Sequence, residues 1–203
     1  GFVGARIYWQ ERDSTGWSAE RPMPFADSRW KDSDPALSPD GKRLLFVSDR
    51  GGRSLDLYES VWDDAQQNWG APRRLDEVLQ SPAIELGPES FGVDLYFAST
   101  REARRLQVLR ARPGQAAQAL PAPINIGQNN SDFTLSRDGR WALWWSDRSG
   151  SQGGADLYLA ERVGEPLRRQ LELRLEPRDT RRVHRRAELG GAGVQVRELD
   201  HRG

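Results

Sequence analysis

The 203-residue sequence has no cysteine, one methionine and two histidines, and of its thirty basic residues only Lys31 and Lys42 are lysines. Without cysteine there are no disulfides, no thiolate zinc sites and no cysteine nucleophile. His184 and His201 lie far apart and neither has a partner at ligand spacing, so no metal site and no cofactor are expected. No apolar run approaches the ~20 residues of a membrane helix, and no membrane insertion is expected. An excess of one charge sign is also missing. Thirty acidic residues balance thirty basic ones, so no global field draws in nucleic acid or an anionic surface. The arginine bias reads as genome composition. The opening residues Gly1-Phe2-Val3-Gly4 show neither an initiator methionine nor a signal peptide, so the chain is expected to begin inside a longer protein.

What is present is short and repetitive. Eight tryptophans, twenty glycines and twelve prolines punctuate brief apolar runs, and long amphipathic helical patterns are nearly absent. This suits many short strands joined by tight turns. One unit reads Ser33-Asp34-Pro35-Ala36-Leu37-Ser38-Pro39-Asp40-Gly41-Lys42-Arg43-Leu44-Leu45-Phe46-Val47-Ser48-Asp49-Arg50, then Leu55-Asp56-Leu57-Tyr58. A second reads Ser131-Asp132-Phe133-Thr134-Leu135-Ser136-Arg137-Asp138-Gly139-Arg140-Trp141, then Leu143-Trp144-Trp145-Ser146-Asp147-Arg148 and Asp156-Leu157-Tyr158. A degenerate copy, Ser81-Pro82-Ala83-Ile84 followed by Asp94-Leu95-Tyr96-Phe97-Ala98-Ser99-Thr100-Arg101, stands between them. Aligning Phe46, Phe97 and Trp144 gives steps of 51 and 47 residues. Arg6-Ile7-Tyr8 echoes Asp56-Leu57-Tyr58, and Gly16-Trp17-Ser18 echoes Asn68-Trp69-Gly70, so the chain begins partway through a repeat.

Each unit has a physical reading. Residues 35–38 form a first strand, and Asp40-Gly41 turns the chain, because glycine accepts positive φ without a steric penalty. Residues 44–48 are apolar throughout, as in a strand covered on both faces. Residues 55–58 alternate, and residues 69–75 are expected as the fourth strand. Four short strands in about 50 residues make a propeller blade. The fold class is therefore all-β, a β-propeller of four-stranded blades. It comprises a partial blade at 1–30 and three near-complete blades at about 31–80, 81–130 and 131–170. The aromatics Phe46, Phe97, Trp144 and Trp145 are expected between sheets. Residues 171–203 form a β-rich tail with strands at 171–176 and 194–199. They either supply ring-closing strands or begin a β-sandwich module.

The run Ser38-Pro39-Asp40-Gly41-Lys42-Arg43-Leu44-Leu45-Phe46-Val47-Ser48-Asp49-Arg50 with Asp56-Leu57-Tyr58 resembles the WD-like repeat of the TolB family, over roughly residues 1–163. The middle copy departs from the pattern: Gly87-Pro88-Glu89-Ser90 stands where the Asp-Gly turn is expected, and Thr100 replaces the aspartate of Ser-Asp-Arg. The resemblance implies a periplasmic or extracellular envelope location and a habit of binding proteins or peptides. It implies no shared catalytic residue.

Candidate binding residues follow from register. Arg50, Arg101 and Arg148 recur after the second strand, where loops cluster on one face. They either recognise carboxylates on a partner or pair with Asp49 and Asp147. Asp34 and Asp132 begin first strands, at the end facing the central channel. They either bind a cation or a basic peptide or satisfy turn amides. Trp30 and Trp62 are the tryptophans free to stack on a glycan. No Gly-x-Ser-x-Gly elbow and no phosphate loop appears. The sequence thus reads as a monomeric, non-catalytic scaffold for a protein or peptide. The alternative is the gating propeller of a serine peptidase or other hydrolase whose catalytic domain lies outside these residues.

Overall fold

In the computed structural model, which describes residues 5–52, 54–76, 79, 81–102, 104–151 and 154–162 and the backbone of 173–175, each repeat becomes one antiparallel sheet. An N-terminal layer comes first. It consists of β1 (Tyr8–Trp9) paired with β4 (Arg21–Pro22), and the hairpin β2 (Arg12–Asp13) with β3 (Gly16–Trp17). The first full blade holds β5 (Asp32–Leu37), β6 (Arg43–Ser48), β7 (Asp56–Asp63), β8 (Asn68–Trp69) and β9 (Arg73–Arg74). The middle blade is β10 (Glu85–Phe91), β11 (Asp94–Ser99), β12 (Gln107–Ala111) and β13 (Gln118–Ala119). The third is β14 (Asn130–Leu135), β15 (Trp141–Ser146), β16 (Asp156–Arg162) and β17 (Leu173–Leu175). The described residues contain no α-helix. The chain is an all-β propeller; strands follow one another in order through the middle and third blades, and in the first blade β8 and β9 both pair with β7.

The Ser-x-Asp-Gly turn builds itself from its own side chains. The Ser38 hydroxyl donates to Asp40 and accepts the Arg43 amide, while Asp40 Oδ1 accepts the Lys42 amide and Gly41 takes φ 70°. Ser136, Asp138, Arg140, Trp141 and Gly139 repeat these bonds in the third blade. The hydroxyl and amide donors hold the Asp40 and Asp138 carboxyls below their ordinary pKa. The middle blade uses another device. Gly87 to Ser90 is not a turn but lies within β10, and the chain reverses at Gly92-Val93, with Gly92 at φ 59° and Phe91 opposite Asp94. Its first strand accordingly runs from Glu85 to Phe91. The fourth strand expected over 69–75 is split, because Gly70-Ala71-Pro72 interrupts β8 and β9; proline has no N–H for the ladder. β17 pairs with β16, so residues 173–175 form the fourth strand of the third sheet. The strand expected at 194–199 lies outside the described residues.

Packing alternates strictly along the second strands. Phe46, Phe97 and Trp144 each face the preceding layer, in three successive clusters with Ile7 and Met23, with Leu45, Val47 and Leu57, and with Tyr96, Val108 and Leu120. First strands of neighbouring blades lie against one another, β5 on β10 and β10 on β14. They form the inner wall. A backbone bond repeats at each junction: Asp32 N–H to Ala5 C=O, Glu85 N–H to Leu55 C=O and Asn130 N–H to Leu106 C=O, all 2.8–3.0 Å. Removing the 1 % exposed Phe97 ring would empty the junction of the first and middle blades. Phe97→Ala is expected to lose about 3–5 kcal/mol of stability, read from denaturant unfolding; a loss under about 1 kcal/mol would mean that the junction collapses to fill the space.

Candidate functional site

The Ser-Asp-Arg signature at the end of each second strand turns inward. The hydroxyls of Ser48, Ser99 and Ser146 accept both the backbone N–H and the Nε–H of Arg50, Arg101 and Arg148. Position two of the signature holds the incoming first strand. Asp49 Oδ1 accepts the Lys31 amide at 2.8 Å, Asp147 Oδ1 the Asn129 amide at 2.7 Å, and Thr100 Oγ1 the Ile84 amide at 3.1 Å. Threonine thus serves where aspartate was expected. The amide at Asn129 keeps the Asp147 carboxyl below its ordinary pKa.

The arginines complete the bracket. Arg50 Nη2 donates to both oxygens of the buried Asp32, at 2.6 and 2.7 Å, and its guanidinium rests on Phe25, Phe46 and Tyr58. Arg101 Nη2 reaches the fully buried Glu85 at 2.9 Å and the Leu79 carbonyl at 2.6 Å. Burial raises the Glu85 carboxyl pKa, against the Ser81 hydroxyl and Arg101, which lower it. In the third blade Asn130 stands in the register of these acids, opposite Ser146. Arg148 donates to the Ile124 carbonyl and packs 3.9 Å from the Tyr158 ring centroid, and its buried Nη1 has no hydrogen-bond partner among the described residues. Burial lowers its pKa. A free ring of arginines reaching for a partner's carboxylates is therefore not what forms. The Arg50 and Arg101 guanidiniums, within 2.6–2.9 Å of buried acids and resting on aromatic rings, spend Nη2 and Nε inside the blade. Nor do Arg50 and Arg148 pair with Asp49 and Asp147.

Asp34 and Asp132 come together at the inner wall. Every first strand carries a bulge at the same register, and the residue on it is left-handed: Asp34 at φ 53°, Gly87 at 52° and Asp132 at 51°. Aspartate and glycine are among the few residues that tolerate this conformation. Asp34 Oδ2 accepts the Gly87 amide at 3.0 Å across the blade boundary. A Cβ on Gly87 would stand 3.0 Å from Asp132 Oδ1. The three bulges are thus direct neighbours. Asp132 retains solvent exposure, yet the protein around its carboxyl, and then the Asp34 charge, raise its pKa. Two residues further along the middle bulge, Glu89 is half-buried and has no ion pair or hydrogen bond among the described residues; burial pushes its pKa up to about 7. Sequence reading passed over Glu89 because it lies in the segment taken for a turn. Trp62 is edge-on to Trp9 and Trp69, with centroids at 5.9 and 5.6 Å, which makes it packing rather than a glycan platform. Trp30 sits beneath the Arg29 guanidinium.

Two measurements separate framework from site. Asp32→Asn leaves Arg50 buried without its counter-charge and is expected to destabilise by about 3–5 kcal/mol; in a double-mutant cycle with Arg50→Met, a coupling near zero would show that the pair is not the strut described here. Glu89 has the opposite sign. Its folded pKa lies above the ordinary carboxyl value of 4.5, so the stability tied to its proton is full below pH ~4.5 and is lost as pH rises through ~7. Glu89→Gln is expected to stabilise by about 1–3 kcal/mol at pH 8 and to be neutral at pH 4. An equal effect at both pH values would rule out titration of this carboxyl.

No protein-family model matches the chain, and no curated protein matches it. Among solved structures it is similar to TolB from Acinetobacter baumannii, at 23% identity and TM-score 0.55 over 77% of this chain and 35% of that one. It is also similar to a protein described as a TolB from Agrobacterium tumefaciens, at 21% identity and TM-score 0.50 over 73% of this chain and 50% of that one. A puromycin-hydrolyzing peptidase from Mycobacterium tuberculosis aligns more distantly, at 15% identity and TM-score 0.41 over 79% of this chain and 37% of that one. The chain therefore spans half or less of the TolB chains it resembles, and what it shares with them is the TolB-like β-propeller fold.

Proposed function

We propose that this chain is part of a non-catalytic, envelope-associated scaffold that holds a protein or peptide partner at the inner wall of the propeller. The observation that carries the reading is the alignment of the three left-handed bulges, which sets Asp34 and Asp132 side by side about Gly87. The other recurrent charges of the blades, Asp32, Glu85, Arg50 and Arg101, are consumed by the framework. The acids at the bulges and Glu89 are not matched by any arginine ion pair among the described residues. Carboxylates on a rigid wall, two of them raised in pKa by confinement, gain from a cation arriving from outside. A lysine- or arginine-rich segment supplies that charge and carries backbone amides for the exposed strand surface. The TolB-like fold supports the scaffold reading at the level of architecture, and the envelope location rests on the same resemblance. No helix among the described residues is long and apolar enough to cross a membrane.

Titration calorimetry with a basic peptide and its acidic counterpart tests the proposal. The basic peptide is expected to bind, more weakly as salt rises, and the acidic one not to bind. Asp34→Asn with Asp132→Asn keeps the left-handed backbone and the Gly87 hydrogen bond, because asparagine tolerates both, and is expected to weaken binding about tenfold or more. Unchanged affinity in the double variant would sink the assignment of the inner wall.

A further inference from the structure

The junction between the middle and third blades carries two arginines that no acid opposes. Val108 on β12 and Ala160 on β16 both belong to the apolar cluster that fills this junction. Side chains two residues apart on a strand share a face. Arg110 therefore points from the middle blade toward the third, and Arg162 from the third toward the middle. Both are partly buried. Neither has an ion pair or a side-chain hydrogen bond among the described residues.

The register of the blades brings the two positions together. Met23 N–H donates to the Ile7 carbonyl as Leu120 N–H does to Val108, which puts Trp9, two residues on, at the position of Arg110. Trp62 N–H donates to the Lys42 carbonyl as Arg162 N–H does to Arg140, which equates Trp62 with Arg162. Trp9 and Trp62 touch edge-on across the first junction, with ring centroids 5.9 Å apart. In the next junction Glu59 holds the Arg110 position, opposite Leu45 as Arg110 is opposite Tyr96, and Arg43 and Arg73 neutralise it. Between the middle and third blades an aromatic pair is thus replaced by two like charges.

Tyr96 forms the floor beneath them. It is 0% exposed, and its hydroxyl has no hydrogen bond of good geometry among the described residues. Burial and then the Asp94 charge raise the pKa of that hydroxyl, while Arg110 and Arg162 lower it, so both guanidiniums stand near it. Asp94 itself is taken by Arg112, whose Nε donates to it at 2.5 Å, and Glu161 is taken by Arg140. Glu89 lies across Tyr96 from Arg110 and responds to burial alone, with no arginine charge acting on it.

Guanidinium groups stay protonated in proteins, and like charges that face one another weaken the strands that carry them. Two unopposed positive charges are matched by one dianion. We infer that Arg110 and Arg162 hold a tetrahedral dianionic oxyanion, of the phosphate or sulfate kind, between the middle and third blades above the Tyr96 hydroxyl. Guanidinium donors suit such an ion because they form paired, charge-assisted hydrogen bonds to its oxygens. The ion bridges two sheets and so fastens their junction. The site lies on third strands, away from the bulges of the inner wall, and does not depend on the reading of that wall.

Calorimetric titration of the full chain with low-millimolar sulfate or phosphate, at fixed ionic strength so that screening is constant, tests the inference. Either ion is expected to bind at a single site, and chloride and acetate are not. Arg110→Gln and Arg162→Gln should each weaken binding about tenfold or more. Each should also raise the unfolding temperature in chloride buffer, where the two charges repel, and lose the further rise that sulfate gives the unmodified chain. Low-millimolar sulfate is too dilute for the general stabilisation by excluded salts, and Asp34→Asn with Asp132→Asn should leave the response intact. Equal heats for chloride and sulfate, or unchanged sulfate binding in the Arg110→Gln, Arg162→Gln double variant, would overturn the inference. So would acetate binding as tightly as sulfate, which would mean a carboxylate site rather than one for a dianion.

Discussion

A blade of this chain is apolar on both faces, and a single sheet has nothing with which to bury either. Leu45 and Val47 point one way from β6 while Leu44 and Phe46 point the other, and all four are buried only because a layer lies on each side. The hydrophobic contribution of a blade is thus shared between two junctions, and stability accumulates by stacking. From this constraint follow the even alternation of the second strands and the recurrence of a large aromatic on the preceding-facing side. So does the repeated backbone bond that ties each first strand to the previous third strand.

Stacking alone leaves register undecided, because apolar faces slide. The Ser-x-Arg bracket pins it. The serine hydroxyl folds the arginine back over its own blade, the second residue of the signature holds the incoming strand's amide, and the guanidinium reaches an acid at the start of that strand. A buried ion pair is a weak source of net stability, since desolvation offsets most of the Coulombic gain. Its effect here is to make the wrong register expensive: a one-residue slip strands both Asp32 and Arg50 without partners. The third blade keeps the serine and the arginine and replaces the acid by Asn130, whose side chain bonds the Leu106 and Gly127 carbonyls and the Ser146 hydroxyl instead. There the cation–π contact with Tyr158 takes over part of the arginine's support.

The repeat was legible in the sequence wherever local chemistry repeats. Ser38-Pro39-Asp40-Gly41 and its copy at 136–139 are turns made from their own side chains, so their residues announce them, and the apolar run at 44–48 needs no context. The middle blade was misread because its turn, Gly92-Val93, carries no Asp-Gly pair, and its bulge glycine, Gly87, looks like a turn glycine. A left-handed residue inside a strand and one in a turn give the same one-letter signal. The arginines were misread for a different reason. Their register was visible, but Asp32 and Glu85 lie sixteen to eighteen residues away, and only the folded sheet shows that those acids sit within reach. Asp34 and Asp132 were found as strand-start acids, while their adjacency depends on the bulge that tilts both inward.

Net neutrality acquires a structural meaning in this arrangement. Arginines from one strand repeatedly meet acids from another, at Asp56 with Arg74, at Glu59 with Arg43 and Arg73, and at Asp94 with Arg112. Such pairs neutralise charge along the outer and middle strands. The inner strands follow it only in part: Asp32 and Glu85 pair with Arg50 and Arg101, whereas the bulge acids Asp34 and Asp132 have no ion pair among the described residues. Their bulges require residues that accept positive φ, which admits aspartate and glycine and disfavours arginine. A backbone rule thereby permits aspartate at the bulges without selecting for charge, since glycine and asparagine satisfy it as well. The bulge sets where Asp34 and Asp132 stand, as neighbours about Gly87, and theirs is the charge that the proposed partner would have to complement.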